Sequence, residues 1–157
     1  MIGVTAILHT YNDALRIARA VESLRCCNEV LVIDHNSSDD TSAVARAFGA
    51  RVVAGVARGK GFHWPGEAAN DWIFCLQPTE TVTETLEASL LEWKLAETQR
   101  YTGLAVAILE EGPEGWIPHP PETRLVHRSH TRWDGWTPIT EGHVGLLDGS
   151  LARLLLP

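Results

Sequence analysis

Residues 29–53, EVLVIDHNSSDDTSAVARAFGARVV, decide the fold. The run from Glu29 to Ile33 is short and almost continuously apolar, as strands buried on both faces are. A dense cluster of turn and cap residues follows, DHNSSDDT, in which Asp39 or Asp40 can start a helix running through Phe48. Gly49 is placed to stop that helix, and ARVVA at 50–54 reads as the next strand. A strand, a helix and a strand in so few residues predict a βαβ crossover.

The same grammar extends in both directions. Upstream, GVTAILH at 3–9 predicts a buried strand and TYND a polar turn. Asn12 or Asp13 can cap a helix there whose apolar face is Ala14, Ile17, Ala18, Val21 and Leu24. Downstream, DWIFCL at 71–76 is a fourth strand. A helix is expected from about Thr83 to Gln99, with Leu86, Leu90, Trp93 and Ala96 at helical spacing. LAVAILEEG from 104 reads as a fifth strand, and short candidate strands follow at 123–127 and 144–148. The pattern predicts an α/β fold: a mostly parallel, Rossmann-like sheet with helices on both faces, in one domain over residues 1–157. In such sheets ligands bind beyond the carboxyl ends of the strands. Here those ends present residues 10–13, 34–38 and 77–80.

Composition narrows the function classes. The chain has 157 residues, 45% hydrophobic and 21% charged, which suits a soluble globular protein. A net charge of −7 disfavours nucleic acid and anionic membranes as partners. Three cysteines, two of them adjacent, lack zinc-site spacing and fit a reduced, cytoplasmic protein. No leader is read at the N-terminus, and no apolar run is long enough for a transmembrane segment. Peripheral attachment at a membrane and the oligomeric state are left open.

Several residue groups could carry chemistry. Asp34 could accept hydrogen bonds from a base or ribose, or it could organise a turn with Asn36 while Asp39 caps a helix. The turn Thr10, Tyr11, Asn12 and Asp13 has the same two readings, and Tyr11 could stack on a base or cover the sheet edge. Arg58 and Lys60 form a basic, glycine-rich loop that could contact phosphate, but neither a phosphate-cradling GxxxxGK[ST] loop nor a GxGxxG fingerprint is present. His127 and His130 lack a carboxylate to complete a metal set. Trp116, Trp133 and Trp136 could form an apolar platform for a sugar or could pack in core and loop. Glu141 could serve as a general base.

Together these segments resemble the opening half of a family 2 glycosyltransferase, of the lipopolysaccharide-core type. Thr10-Tyr11-Asn12-Asp13 is similar to that family's T-Y-N-E turn. Asp34, Ser37, Asp39 and Thr41 match its D-x-x-S-x-D-x-T element, and AFGARVV matches its lead into strand three. The resemblance implies a nucleotide-diphospho-sugar transferase fold of glycosyltransferase A type. Residues 1–100 would form the nucleotide-binding half, with Asp34 facing the base and Asn36 and Ser37 beside it, and residues 101–157 a reduced acceptor-side half. It implies a nucleotide-sugar or nucleoside diphosphate as ligand and a saccharide acceptor. Arg124, Trp133 and Glu141 would lie on the acceptor side, with Glu141 the catalytic base.

The departures from the family pattern fall in one place. NDWIFCLQPTE aligns with G-D-W-V-L-x-L-D-A-D-E, so Gln77 and Thr79 stand where the family has its metal-binding aspartates. Those aspartates ordinarily hold Mn or Mg against the donor diphosphate. Two neutral residues should hold such an ion poorly, so no metal ligand is assigned, and Arg58 and Lys60 become candidates to bind the diphosphate instead. Glu80 remains and is expected to favour the start of the next helix. Two functions stay open: sugar transfer to a hydroxyl, as in cell-surface polysaccharide or lipopolysaccharide synthesis, or a catalytically inactive binding or regulatory protein.

Overall fold

The computed structural model describes residues 1–55, 64–96 and 99–157. The elements follow in the order β1 (Val4–Thr10), α1 (Ile17–Glu22), β2 (Glu29–Asp34), α2 (Thr41–Ala47), β3 (Arg51–Ala54), a 3-10 turn (Trp64–Glu67) and β4 (Trp72–Leu76). Next come β5 (Glu80–Val82), α3 (Glu84–Lys94), β6 (Gly103–Gly112) and β7 (Gly115–His127). A second 3-10 turn (Arg128–His130), β8 (Thr131–Asp134), β9 (Thr137–Thr140) and β10 (Val144–Arg153) complete the order.

Eight strands form one sheet in the order β3-β2-β1-β4-β7-β6-β10-β5, and β8 pairs with β9 in a separate hairpin. The first four are parallel, in register Thr10↔Asp34 between β1 and β2 and Leu8↔Leu76 between β1 and β4. β7 runs antiparallel to both β4 and β6, whereas β10 is parallel to β6. The parallel half carries the expected near-continuous apolar strands: Val4, Ala6 and Leu8 of β1 and Leu31, Val32 and Ile33 of β2 are buried.

Alternation along β1 divides the core in two. Val4, Ala6 and Leu8 pack with Ile17, Ala20 and Leu24 around α1, with Ala45 of α2 and with Leu86 and Leu90 of α3. Ile7 faces the other way and joins Leu31, Ile33, Ile73, Val126 and Ala68, with Trp133 packed against them. The α/β expectation therefore holds with an uneven distribution. Among the described residues the three α-helices contribute to one core, while the second core is bordered by the segment around Ala68 and by the β8–β9 hairpin.

Several boundaries differ from expectation. α1 is a short helix that buries Ile17, Ala20 and Val21 rather than Ala14 and Ala18. α3 ends at Lys94. Thr83 caps α3: its carbonyl accepts the Glu87 N–H at 2.8 Å, and its hydroxyl donates to the Ser150 carbonyl at 2.6 Å. The two short candidate strands near the C-terminus are parts of the much longer β7 and β10. β10 is irregular between Leu146 and Ser150, where Gly149 (φ +88°) passes close to α3: a Cβ on it would lie 2.4 Å from the Leu86 nitrogen.

Candidate functional site

The carboxyl ends of β1 and β2 are joined by a lattice of side-chain-to-backbone hydrogen bonds. The Thr10 hydroxyl donates to Asp13 Oδ2 at 2.7 Å, and the Tyr11 N–H donates to the same oxygen at 3.1 Å. The Asn12 N–H donates to Ser37 Oγ at 2.9 Å, while Asn12 Oδ1 accepts the Ser38 N–H at 2.8 Å. Asn12 and Asn36 both adopt positive φ, 53° and 62°, a conformation that asparagine tolerates better than most residues. Asp34 accepts the Ser37 N–H and hydroxyl on Oδ1 and the Ser42 hydroxyl on Oδ2. Asp34, Asn36 and Ser37 thus organise the turn, and Asp39 does the same for α2 by accepting the Thr41 N–H at 3.0 Å.

The end of β4 is built differently. Gln77 to Glu80 form a tight turn with Pro78 at its second position: the Glu80 N–H donates to the Gln77 carbonyl, and Glu80 Oε1 accepts the Gln77 N–H at 2.9 Å. Glu80 does not start a helix. It opens β5 and is fully buried, with Arg124 Nη1 at 2.7 Å from Oε1 and Arg124 Nη2 at 2.9 Å from Oε2. Arg153 Nη2 donates to Glu80 Oε2 at 3.0 Å. Burial would raise the Glu80 pKa, but the hydrogen bonds and charge of Arg124, the Gln77 N–H and Arg153 outweigh it and hold the carboxyl below its ordinary value. Burial likewise opposes the Arg124 charge, and Glu80 and Glu122 overcome it, raising the guanidinium pKa. Beneath the turn, burial pushes the Cys75 thiol up to about 12.

Between the β1 and β4 ends lies a cavity of about 400 Å³. Of the residues singled out in the sequence, Thr10, Tyr11, Asp13, Gln77, Thr79, Arg124, Trp133 and Trp136 line it. The structure adds His9 and Glu122. The hairpin that carries both tryptophans turns at Gly135 (φ +60°) and Trp136, a two-residue loop with glycine in its first central position. Trp136 stacks on the His9 ring at 4.6 Å with a 4° interplanar angle, and His35 Nε2 lies 2.9 Å from His9 Nδ1. Burial, then the neighbouring His35, lowers the His9 pKa to about 3, so this imidazole is neutral at physiological pH. Gly55 leaves room for the His35 ring, since a Cβ there would lie 2.6 Å from Nδ1.

Other candidates lie elsewhere. Trp116 is near the turn joining β6 to β7, paired opposite Glu111, and does not line the cavity. Glu141 follows β9, exposed, its N–H donating to the His130 carbonyl at 3.0 Å; it does not line the cavity either. Arg58 and Lys60 lie outside the described residues. An Asp-Gly pair between alternating residues, TRWDGWTPIT, is the sequence signal that could have found the β8–β9 hairpin.

The residues of the β4 corner do not fit the divalent cation that the family resemblance implies. Gln77 and Thr79 bring no carboxylate, Glu80 is taken by two arginines, and among the described residues no group of three or more His, Cys, Asp and Glu could hold a metal ion. A larger, more open groove of about 640 Å³ lies at the amino ends of β2 and β3, where Arg25 and Arg51 are paired with Glu87 and Glu29. It is at the wrong end of the parallel strands for a ligand site in this architecture.

No protein-family model matches the chain. It is 30% identical over 136 residues to an uncharacterized glycosyltransferase of Rickettsia felis, an alignment covering 80% of this chain and 48% of that protein. An uncharacterized glycosyltransferase of Rickettsia conorii is 29% identical over the same length and coverage. The chain thus spans about half the length of the curated relatives it matches. Among solved structures, mannosyl-3-phosphoglycerate synthase from Rubrobacter xylanophilus superposes with a TM-score of 0.55 at 21% identity, over 72% of this chain and 41% of that one. Glucosyl-3-phosphoglycerate synthase from Mycobacterium tuberculosis, solved with Mn2+, uridine diphosphate and glucosyl-3-phosphoglycerate, gives 0.53 at 19% identity, over 72% and 46%. The chain has a glycosyltransferase A-type, Rossmann-like α/β fold.

Proposed function

We propose that the chain is a glycosyltransferase-like domain that binds a nucleotide-sugar or nucleoside diphosphate in the cavity between the β1 and β4 ends. The observation that carries this is the cavity's position. It sits beyond the carboxyl ends of two adjacent parallel strands, lined by Thr10, Tyr11 and Asp13 on one side and Gln77 and Thr79 on the other. Related proteins described as glycosyltransferases, and a fold shared with a synthase solved with uridine diphosphate, favour that ligand class. Trp133, Trp136 and Tyr11 supply aromatic faces for a base or a sugar ring, and Asp13 and Glu122 supply acceptors for hydroxyls.

Transfer assisted by a metal is not what this corner is built for, so binding is the function proposed. Sugar transfer remains the second reading, favoured by Glu122: its half-exposed carboxylate borders the cavity, which Glu141 does not. A calorimetric titration with nucleoside diphosphates and their glucose and mannose conjugates tests the proposal. Saturable binding by at least one, weakened ten-fold or more by Tyr11→Ala combined with Trp136→Ala, is expected. Failure of the whole panel to bind would sink the ligand assignment, and turnover of a bound conjugate would favour the second reading.

A further inference from the structure

We infer that the β4 corner takes its ligand without a divalent cation, because Gln77 and Thr79 bring no carboxylate and a closed arginine–glutamate lattice withholds Glu80. The inference rests on the cavity being the ligand site. A carboxylate offers about four lone-pair positions, and Glu80 uses all of them internally. Oε1 accepts from Arg124 Nη1 and the Gln77 N–H, and Oε2 accepts from Arg124 Nη2 and Arg153 Nη2. A hard cation seeking this carboxylate would have to expel a buried guanidinium.

Arg124 is equally committed. A guanidinium has five N–H donors. Here Nε and one Nη2 donor go to Glu122, one Nη1 and one Nη2 donor go to Glu80, and the last Nη1 donor goes to the Cys75 carbonyl at 3.1 Å. Although Arg124 borders the cavity, it has no spare donor with which to grip a phosphate in the ion's place. What faces the ligand at this corner is Gln77 and Thr79, neutral side chains that both donate and accept. The corner therefore suits an uncharged, hydroxyl-bearing part of the ligand rather than its diphosphate.

The test uses Mn2+ as a probe on the intact chain, with electron paramagnetic resonance reading free Mn2+ and amide broadening in a 15N–1H spectrum reading its location. The wild-type protein should leave Mn2+ free and residues 77–80 unbroadened, and UDP-glucose affinity should agree within about two-fold between EDTA and Mn2+. The double variant Gln77→Asp, Thr79→Asp restores two carboxylates and should acquire a Mn2+ site that broadens those amides. Broadening of residues 77–80 in the wild type, or a ten-fold gain in its UDP-glucose affinity with Mn2+, overturns the inference. A double variant that binds Mn2+ no better than its parent also overturns it, by showing that the two neutral residues are not what excludes the ion. If UDP-glucose and the wider panel fail to bind, the proposed function falls, while the Mn2+ readings still decide the inference.

Discussion

Two strand-end corners carry a carboxylate and treat it in opposite ways. At the end of β2, among the described residues, Asp34 accepts from neutral donors close in sequence, Ser37 of its own loop and Ser42 at the start of α2. At the end of β4, Glu80 is held by two guanidiniums from β7 and β10, strands distant in sequence. The first arrangement is local and partly open to solvent. The second is buried and fully paired, so it joins the sheet's two halves and has little left to offer a ligand. Glu80 is architecture, and on the proposed reading recognition falls to Gln77, Thr79 and the other residues that line the cavity.

The most damaging way to break this comparison is at Glu80. Glu80→Gln removes the fully buried carboxylate that Arg124 and Arg153 share, leaving them the half-exposed Glu122, and loss of one member of a buried ion pair costs about 3–5 kcal/mol. Chemical denaturation should show that loss without a change in the denaturant slope. At the other corner, Asp34→Ala strands hydroxyls that its charge had stabilised, at about 1–3 kcal/mol. Neither Asp34 nor Glu80 lines the cavity, so ligand binding, measured under conditions where each variant stays folded, should suffer less from either change than from loss of a lining side chain. Trp136→Ala removes the stacked lid on His9 and should weaken ligand affinity about ten-fold, or ~1.4 kcal/mol, by calorimetry.

Acid titration separates the remaining contributions by their pH windows. His9 has a folded pKa of about 3 against an ordinary 6.5, so the unfolded chain binds more protons between these values. Its contribution to stability is present above pH 6.5 and declines as the pH falls toward 3. Glu80 has a folded pKa below its ordinary 4.5, so its contribution is lost only as the pH falls below 4.5 and through the folded value. Unfolding midpoints measured from pH 7.5 to 4 should therefore show a decline from near pH 6.5, and His9→Gln should flatten it. An unchanged profile in the variant would place the early loss elsewhere.

The parallel half of the sheet was legible because its strands are nearly continuous in apolar residues and are punctuated by Asn, Asp and Gly. The antiparallel half was harder to read. Most of β7 from Gly115 to Glu122 is exposed and carries Pro118, Pro120 and Pro121, so neither alternation nor β propensity marks it. Its pairing with β6 holds it as a strand nonetheless. Eight of the sequence's site residues meet at the cavity: the βαβ pattern places the β1 and β4 ends together, while Arg124, Trp133 and Trp136 arrive from β7 and the β8–β9 hairpin. Glu122 was missed because only the pairing of β7 with β4 and β6 brings it there, and His9 because it sits in a stretch read simply as a buried strand. The burial of Glu80 was hidden for the same reason: Arg124 and Arg153 lie 44 and 73 residues away.

The most direct test is where a ligand lands. In a 15N–1H titration with UDP-glucose in the presence of EDTA, shifts are expected at residues 9–13, 77–79, 124 and 133–137. Shifts confined to residues 21–30 and 48–51, in the groove at the opposite strand ends, would contradict the assignment of the ligand site, as would a saturating titration that leaves the β1 and β4 corners unmoved.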